Sequence, residues 1–463
     1  MAPSSERRDQ SLSPARPASP RFVAIETLRR LEKSRKPVGT IFNRAVAETP
    51  LGNKDRQLAN TIIHGVLRKR QSLDYVLQQL CRQPLRKIKP FIHQSLRVGL
   101  FQILYLDRIP ESAAVNESVK AVQNARLPKK LQGFVNAVLR NAIRRREELL
   151  SSINGNEDTI VNHPDWLCRR WEERYSKEES RRICSHNDLI PPLTLQVNSC
   201  KAEPETVKAL FCQDAITFRS GSLSNTTILL EDFHGDVTRL PGFSEGLFLI
   251  QDQGAALLPQ LLGPMGEGEK YLDACAGLGG KTSSMIQLAA PGRAEISAVE
   301  PDRSRREKFK ENMARLHPDL DVPLFKGGLE EFATSTTSTF HGILLDAPCS
   351  GTGVIRRHPD IRWNRRAEEF VRYQKTQLQL LQSATALLRD GGVLVYATCS
   401  LEGEENEEVI EQFLGANRDF SLQDCTEYLP TTARSLVRDG FFAPLPGPET
   451  DGFFGARLVK RCS

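Results

Sequence analysis

Two cysteines each follow a predicted β-strand directly, which makes them candidates for covalent chemistry. Cys349 comes after the apolar stretch Gly342–Leu345, within Asp-Ala-Pro-Cys-Ser-Gly-Thr-Gly, and Cys399 comes after Val393–Ala397, within Thr-Cys-Ser. A lone cysteine is more often a buried structural residue. However, ligands bind at the sheet edge where the carboxyl ends of parallel strands meet, so we expect both thiols to face one crevice. On spacing alone, either could be a nucleophile.

A glycine-rich turn lies between another predicted strand and a helix. The strand Lys270–Leu272 leads into Asp273–Thr282, where three glycines allow a ligand to approach the backbone near a helix N-terminus. The turn is not a phosphate-binding P-loop, because Cys275 stands where that pattern requires glycine. The next strand ends at Glu300, whose carboxylate could accept hydrogen bonds from both hydroxyls of a ribose. The glycine-rich turn and Glu300 together could bind NAD or S-adenosylmethionine. The alternative is that the turn has only a structural role and binds no cofactor.

The elements that must position these residues alternate between strand and helix from residue 246 onward. The predicted strands are Lys270–Leu272, Ala294–Val299, Gly342–Leu345 and Gly392–Ala397, and the helices between them include Arg303–Leu316 and Ala367–Leu388. This alternation predicts the α/β fold class, with a Rossmann-like, mostly parallel sheet that has helices on both faces and occupies residues 246–463.

The first half of the chain is predicted to be built differently. Residues 1–20 are rich in Ser, Pro and Arg without apolar periodicity, and we expect a disordered tail. Residues 21–150 carry apolar side chains at helical spacing, which predicts an all-helical domain. Residues 151–245 are expected to form a small α+β linker domain, with the strands Leu193–Val197, Ala215–Phe218 and Thr227–Leu230.

Charge is distributed unevenly along the chain. Residues 1–150 contain 29 Lys and Arg against 12 Asp and Glu, a net charge of +17, whereas the remainder has a net charge of −11. The segment Arg140–Arg146 alone brings four arginines together. A positive field concentrated on one module favours a polyanionic partner such as RNA or DNA.

Composition excludes several other classes of protein. The 463 residues are 39% apolar and 26% charged, which is typical of a globular protein. No apolar run approaches the roughly 18–20 residues that span a bilayer, so we expect no membrane contact. The ten cysteines form no Cys-x-x-Cys pair, which predicts neither a disulfide framework nor a bound metal and favours a cytoplasmic location.

Several of these motifs resemble a known family. Asp273–Thr282, Asp346–Gly353 and Thr398–Ser400 are similar to the defining motifs of RNA cytosine-5 methyltransferases, and Phe134–Arg140 lies in a basic helical region that resembles the antitermination factor NusB. Together they resemble the bacterial 16S ribosomal RNA methyltransferases of the RsmB (Sun/Fmu) type. The further segments that share this resemblance are Arg356–Trp363, Gln377–Leu381 and Asp451–Phe454.

The resemblance implies a role for each candidate catalytic residue. Carbon 5 of cytosine is a poor nucleophile until a thiolate adds to carbon 6. The family assigns this attack to the cysteine that corresponds to Cys399, and release of the product to the one that corresponds to Cys349, acting directly or through water. Asp346 is expected at the N3 edge of the base or against the cofactor.

The cofactor that the resemblance implies is S-adenosylmethionine, held in a Rossmann-like methyltransferase sheet. The residues expected to bind it are Cys275, Ala276, Gly277, Leu278, Gly279, Gly280, Lys281, Glu300 and Asp346. The chain departs from the family pattern at two places. Gly277-Leu278 stands where Ala-Pro is usual, and Gly327-Gly328 stands where Gly-Asp is usual, so that Gly328 or Glu330 would have to replace the missing acid.

The RNA contacts are expected in the segment that follows Cys349. Cations can hold phosphates, and an aromatic face can stack on an extruded base. The residues expected to bind RNA are Arg356, Arg357, His358 and Arg362. The expected partner is 16S ribosomal RNA before the small subunit is fully assembled, with no obligate protein partner.

Two alternative functions remain open at this point. One is a cytosine-5 methyltransferase that acts on transfer RNA. The other is a non-catalytic RNA-binding or antitermination factor with a degenerate methyltransferase body, against which the intact pair of cysteines argues. Methyl transfer to total RNA followed by size separation distinguishes all three functions.

Overall fold

The computed structural model describes residues 19–156, 160–231, 233, 235–289 and 293–462. The chain divides into two compact units, and the first ends at Asp188 and also includes His358–Asn364. The second comprises Leu189–Arg357 and the chain from Arg365 onward. The predicted tail, residues 1–20, lies outside the described residues except for its last two positions, and Pro20 already begins a helix.

The first unit is helical, as the apolar periodicity predicts. Its helices are α1 (Pro20–Leu31), α2 (Val38–Glu48), α3 (Asn53–Arg68), α4 (Arg70–Leu80), α5 (Pro90–Tyr105), α6 (Glu111–Asn124), α7 (Lys129–Arg144), α8 (Arg146–Asn154), α9 (Asp165–Arg174) and α10 (Lys177–Asn187). Apolar side chains from α1 to α8 form one continuous core. Helices α5 and α7 pack so closely that a Cβ on Gly99 would lie 2.4 Å from Leu139, which explains the glycine.

The second unit begins with a small antiparallel sheet in the order β2-β3-β1-β4. Its strands are β1 (Leu193–Val197), β2 (Arg219–Ser220), β3 (Thr227–Leu230) and β4 (Phe248–Ile250), and helix α11 (Pro204–Gln213) packs on it. The interval 151–245 therefore contributes helices α9 and α10 to the first unit and strands to the second.

The strand predicted at Ala215–Phe218 is wrong, because this segment is the turn that follows α11 and the irregular stretch that leads into β2. Ala215 adopts a left-handed backbone conformation with φ of 53°, and the N–H of Ile216 bonds back to the carbonyl of Phe211 at 2.9 Å. This is a helix-terminating turn, which a pattern of apolar residues cannot distinguish from a short strand.

The larger sheet carries the strand order β11-β12-β13-β9-β8-β5-β6-β7, with β10 paired to β13. Neighbours from β9 to β7 are parallel, and β13 runs antiparallel to β9. The strands are β5 (Lys270–Asp273), β6 (Glu295–Val299), β7 (Leu324–Phe325), β8 (Phe340–Asp346), β9 (Leu388–Thr398), β10 (Phe420–Gln423), β11 (Val437–Arg438), β12 (Phe441–Phe442) and β13 (Phe454–Lys460).

Helices cover both faces of this sheet. They are α12 (Gln253–Leu257), α13 (Gly280–Ala289), α14 (Arg303–Leu316), α15 (Leu329–Ser335), α17 (Glu368–Leu387) and α18 (Glu407–Ala416), whereas α16 (Ile361–Asn364) belongs to the first unit. Successive residues of β9 enter different apolar clusters, Leu394 and Tyr396 on one face and Val395 and Ala397 on the other. The predicted fold class, a mainly parallel sheet between two layers of helices, is confirmed.

The register of the sheet brings three strand ends to one edge. Asp273 at the end of β5 pairs with Leu344 of β8, and Asp346 at the end of β8 pairs with Ala397 of β9. The turns that follow these strands carry the glycines and both cysteines. Among the described residues, no helix combines the length and the apolar character needed to cross a membrane.

Candidate active site

The two candidate cysteines lie against each other at this edge. Cys349 Sγ is 3.1 Å from Cys399 Sγ, and the backbone N–H of Cys399 also donates to Cys349 Sγ at 3.3 Å. The hydrogen bond with Cys399, together with burial, raises the pKa of the Cys349 thiol well above its ordinary value. Cys349 therefore keeps its proton, which it can donate to the Cys399 sulfur.

An ion pair lies beside the cysteines. Lys281 Nζ, from the first turn of α13, is 2.6 Å from Asp346 Oδ2 at the end of β8. Burial disfavours the charged lysine, but the Asp346 carboxylate outweighs burial and raises the pKa of Lys281, to which the nearby Cys399 also contributes. The Lys281 ammonium is thus held near Cys399 as one half of an ion pair with Asp346.

The glycine-rich turn is held by Glu300. Its Oε2 accepts the N–H of Gly277 at 2.9 Å and its Oε1 accepts the N–H of Asp302 at 2.7 Å. Glu300 is only 2% exposed, yet each carboxylate oxygen has a second lone pair for a ligand. The acid predicted to bind a ribose therefore also fixes the conformation of the turn.

The turn leaves room for a ligand. Gly277 has a φ of +57°, and a Cβ placed on it would meet nothing within 4 Å. Leu278 is exposed beside it, whereas Ala276 is buried and packs in the core. The space next to Gly277 is therefore open, and Glu300, which accepts the Gly277 N–H, lies beside it.

Two further acids of this region have distinct surroundings. Asp273 is fully buried, accepts the Thr282 hydroxyl at 2.6 Å, and has a pKa that burial raises to about 6. Glu330 is exposed, and its Oε2 lies 3.2 Å from where a Cβ on Gly328 would be. Glu330 therefore reaches the backbone position at which the family pattern has its acid.

A buried polar network lies behind the cysteines, and the sequence analysis did not find it. Glu405 accepts hydrogen bonds from Ser350 N at 2.8 Å, Ser400 Oγ at 2.7 Å and Gln377 Nε2 at 3.1 Å. Gln377 also donates to the carbonyl of Pro348 at 3.1 Å. Ser350 and Ser400 directly follow the two cysteines, so one carboxylate connects both cysteine turns. Of this network, the sequence analysis had named only Gln377, within the segment Gln377–Leu381 that shares the family resemblance, and had given it no role.

Two of the predicted RNA-binding arginines are structural residues instead. Arg356 is 3% exposed, forms an ion pair with Asp451, and donates to the carbonyl of Gly447 at 2.7 Å. Arg362 is fully buried in the first unit, where it pairs with Asp188 at 2.7 Å and donates to the carbonyl of Asn187. The prediction for Arg356 and Arg362 is corrected, because neither guanidinium faces solvent.

The other two predicted RNA contacts remain accessible to different degrees. Arg357 is half-buried and pairs with Asp252 at 2.9 Å and with Asp451. His358 is exposed. Within the described residues there is no cluster of His, Cys, Asp or Glu with the geometry of a metal site.

Comparison with known proteins identifies three parts of the chain. The family model for the 16S rRNA methyltransferase RsmB/F matches residues 259–459, the model for the NusB family matches residues 18–144, and a model for the RsmF/B-like ferredoxin-like domain matches residues 163–238.

Individual relatives extend this similarity over nearly the whole chain. The probable ribosomal RNA small subunit methyltransferase B of Bacillus subtilis (strain 168) is 32% identical over 451 residues, covering 96% of this chain and 99% of the relative. The ribosomal RNA small subunit methyltransferase B of Pasteurella multocida (strain Pm70) is 36% identical over 447 residues, covering 96% of each. The crystal structure of PH0851 shares the fold, with a TM-score of 0.75, 22% identity, and coverage of 95% of this chain and 99% of that one.

The fold and the site define the class of Rossmann-like methyltransferases that carry a NusB-like helical domain. The glycine turn, the buried Glu300 and the cysteine pair all belong to the carboxyl edge of one sheet. The chain belongs to the 16S rRNA methyltransferase RsmB/F family. This confirms the resemblance identified from the motifs.

Proposed function

We propose that this protein transfers a methyl group from S-adenosylmethionine to carbon 5 of a cytosine in 16S ribosomal RNA. The observation that carries the proposal is the pair of thiols 3.1 Å apart at the edge of the sheet that also holds the glycine turn. The relatives named ribosomal RNA small subunit methyltransferase B support this choice of RNA.

The first step is covalent attack on the base. The Cys399 thiolate adds to carbon 6 of cytosine, which forms the S–C6 bond and moves the electron pair of the C5–C6 double bond toward carbon 5 and the N3 edge. Lys281 stabilises the thiolate before attack, since its ammonium is buried with Asp346 beside it. We assign Asp346 to the N3 edge of the base, where its protonated form would stabilise the developing charge, or to a contact with the cofactor.

The second step forms the new carbon–carbon bond. When bound, S-adenosylmethionine would supply an electrophilic methyl group to carbon 5, with its sulfur–methyl bond broken and S-adenosylhomocysteine left as the second product. Gly277 provides open space for its nucleoside, and Glu300 offers free lone pairs to its ribose hydroxyls. Cys275–Lys281, Glu300 and Asp346 form the proposed cofactor site. Glu330 is the residue we propose to replace the missing family acid, because it reaches Gly328.

The last step releases the product. The C5 proton leaves, its electron pair restores the C5–C6 double bond, and the S–C6 bond breaks to return the Cys399 thiolate. We assign proton removal to Cys349, directly or through water. The largest cause of the raised pKa of Cys349 is its hydrogen bond with Cys399. Once Cys399 is bound to carbon 6 as a thioether, that cause is weakened, so the Cys349 thiol can lose its own proton to water and, as a thiolate, accept the proton from carbon 5.

The proposal is tested by offering the purified protein tritiated S-adenosylmethionine with 16S RNA and with transfer RNA. We expect label in 16S RNA at carbon 5 of cytosine. Label only in transfer RNA, or label at another base atom, would contradict the proposal. An assay with naked RNA and with partly assembled small subunits then tests the proposed preference for RNA before full assembly.

A further inference from the structure

We propose that one face of helix α7 binds the phosphate backbone of the RNA. This proposal rests on the proposed function, in which RNA is the substrate. We call this set of exposed cations the basic face. It consists of Lys129, Lys130, Arg140 and Arg144. Because Arg356 and Arg362 are buried, two of the four RNA contacts predicted from the sequence are not available to a phosphate.

The basic face is a continuous strip on one side of the helix. With about 100° between successive residues, its four cations fall within an arc of about 100°, which also contains Gly133 and Ala137. The buried residues lie on the opposite side; they are Val135, Val138, Leu139 and Ala142. The helix is fixed by this apolar side, including the close contact of Leu139 with Gly99, so the cations are presented on a rigid element.

Among the residues that the structure describes, no carboxylate forms an ion pair with this strip. None of the 16 residues of α7 is acidic. Arg140 donates to the side-chain oxygen of Asn136 at 3.1 Å, and Arg144 donates to that of Asn141 at 3.3 Å. Four positive charges therefore face solvent, and a chain of phosphates is the partner that complements them.

The two arginines that follow in the sequence are different. Arg145 pairs with Glu148 at 2.6 Å, and Arg146 is engaged by Asp107 at 3.3 Å and by the carbonyl of Ile103 at 3.0 Å. Of the four arginines in residues 140–146, Arg140 and Arg144 are therefore the two that are available to bind phosphate. The structure thus separates residues that the sequence shows only as one cluster.

Two local features of α7 have no explanation in its packing. The first turn contains Lys129 and Lys130 and no acid, although the helix dipole disfavours cations at this end. Gly133 lies in the middle of the strip, yet a Cβ on it would meet nothing within 4 Å, so packing does not require glycine there. Both features suit an RNA strand: the lysines meet phosphates, and the small residues let the strand cross close to the helix.

The test compares two variants that each lose four charges in the same unit. One is K129Q/K130Q/R140Q/R144Q, and the matched control is R44Q/K54Q/R86Q/K87Q, whose four positions are also exposed. Binding to a fluorescent 16S fragment is measured by anisotropy over a range of salt concentrations. We expect the first variant to bind at least tenfold more weakly and to lose about 3 to 4 units of the salt slope, since four counterion-releasing contacts are removed. The control variant should lose clearly less RNA affinity and clearly less of the salt slope.

A second variant tests the surface without removing a cation. Ala137→Glu adds one negative charge at an exposed position in the strip, and circular dichroism verifies that the helix is intact. We expect weaker RNA binding and a higher KM for RNA, with the affinity for S-adenosylmethionine unchanged. Unchanged RNA binding in the quadruple variant, or equal losses in the control, would overturn the proposal. Failure of the wild type to methylate any RNA would instead count against the proposed function, while the binding comparison still decides this inference.

Discussion

The carboxylate of Glu405 accepts a 2.8 Å hydrogen bond from the backbone N–H of Ser350, the residue after Cys349. Its other oxygen accepts from the hydroxyl of Ser400, the residue after Cys399, at 2.7 Å. The two thiols belong to turns 50 residues apart in the chain, and this shared buried acid holds both turns in place. The spacing of the thiols therefore depends on a residue that touches neither sulfur.

Replacing Glu405 is expected to separate the two cysteine turns. Glu405→Gln keeps the shape but places an amide N–H₂ where one of the donors now points. We expect a loss of about 1–3 kcal/mol in the free energy of unfolding, the usual cost of a broken buried hydrogen bond, and a lower rate of covalent adduct formation with an unchanged KM for RNA. Glu411→Gln, at an exposed position of α18, is the control. Equal adduct rates for Glu405→Gln and the wild type would show that the bridge does not position the thiols.

Substitution of Glu300 is expected to weaken cofactor binding. Glu300→Ala removes the acceptor of two backbone N–H groups that shape the glycine turn, as well as the proposed ribose contact. We expect calorimetric affinity for S-adenosylmethionine to fall by about 1–3 kcal/mol. Glu295→Ala, at the exposed start of the same strand, should leave that affinity unchanged. Equal affinities for both variants would remove Glu300 from the site.

The buried Asp273 is expected to make stability depend on pH. Burial raises its pKa from 3.8 to about 6, so between these values the folded state binds more protons than the unfolded state. Stability must then fall as the pH rises through this window. In Asp273→Asn this contribution is absent, so its unfolding free energy relative to wild type should rise by about 3 kcal/mol between pH 4 and pH 7. The free energies of unfolding are measured by urea denaturation. If the difference between the two proteins stayed constant from pH 4 to pH 7, the raised pKa of Asp273 would be contradicted.

The corrected role of Arg362 can be tested by separating stability from RNA binding. Arg362→Gln leaves Asp188 buried without its main cation, which should cost about 3–5 kcal/mol of stability. Thermal unfolding measures this loss. At a temperature where the variant is folded, its RNA affinity and salt slope should equal those of the wild type. A reduced salt slope in the folded variant would restore Arg362 as a phosphate contact.

The parts of the site that could be predicted from the sequence are those whose residues are consecutive in the chain, namely the two cysteine turns and the glycine turn. The ends of β8 and β9 were predicted because an apolar strand runs directly into each cysteine motif. The glycine turn was predicted because three glycines stand between a strand and a helix, and Gly277 and Gly279 indeed adopt positive φ values. Arg356 was misjudged because its partner Asp451 lies 95 residues further along the chain. From the sequence alone, an arginine in a loop is expected to be exposed to solvent, because its buried carboxylate partner is distant in the chain. The hydrogen bond of Glu405 to Ser350 was not predicted for the same reason, since Ser350 lies 55 residues away in the chain.

The most direct test of the account uses the two cysteines with RNA and S-adenosylmethionine. Cys399→Ala should form no covalent adduct and no methylated RNA, since nothing adds to carbon 6. Cys349→Ala should still attack and methylate, but the product should stay attached, because the C5 proton is no longer removed. A protein–RNA band that survives denaturing electrophoresis should therefore accumulate with Cys349→Ala and disappear in the double variant. RNA that contains 5-fluorocytosine should trap the wild type in the same way. A stable band with Cys399→Ala and none with Cys349→Ala would show that the roles are reversed, and full turnover by both variants would contradict covalent catalysis.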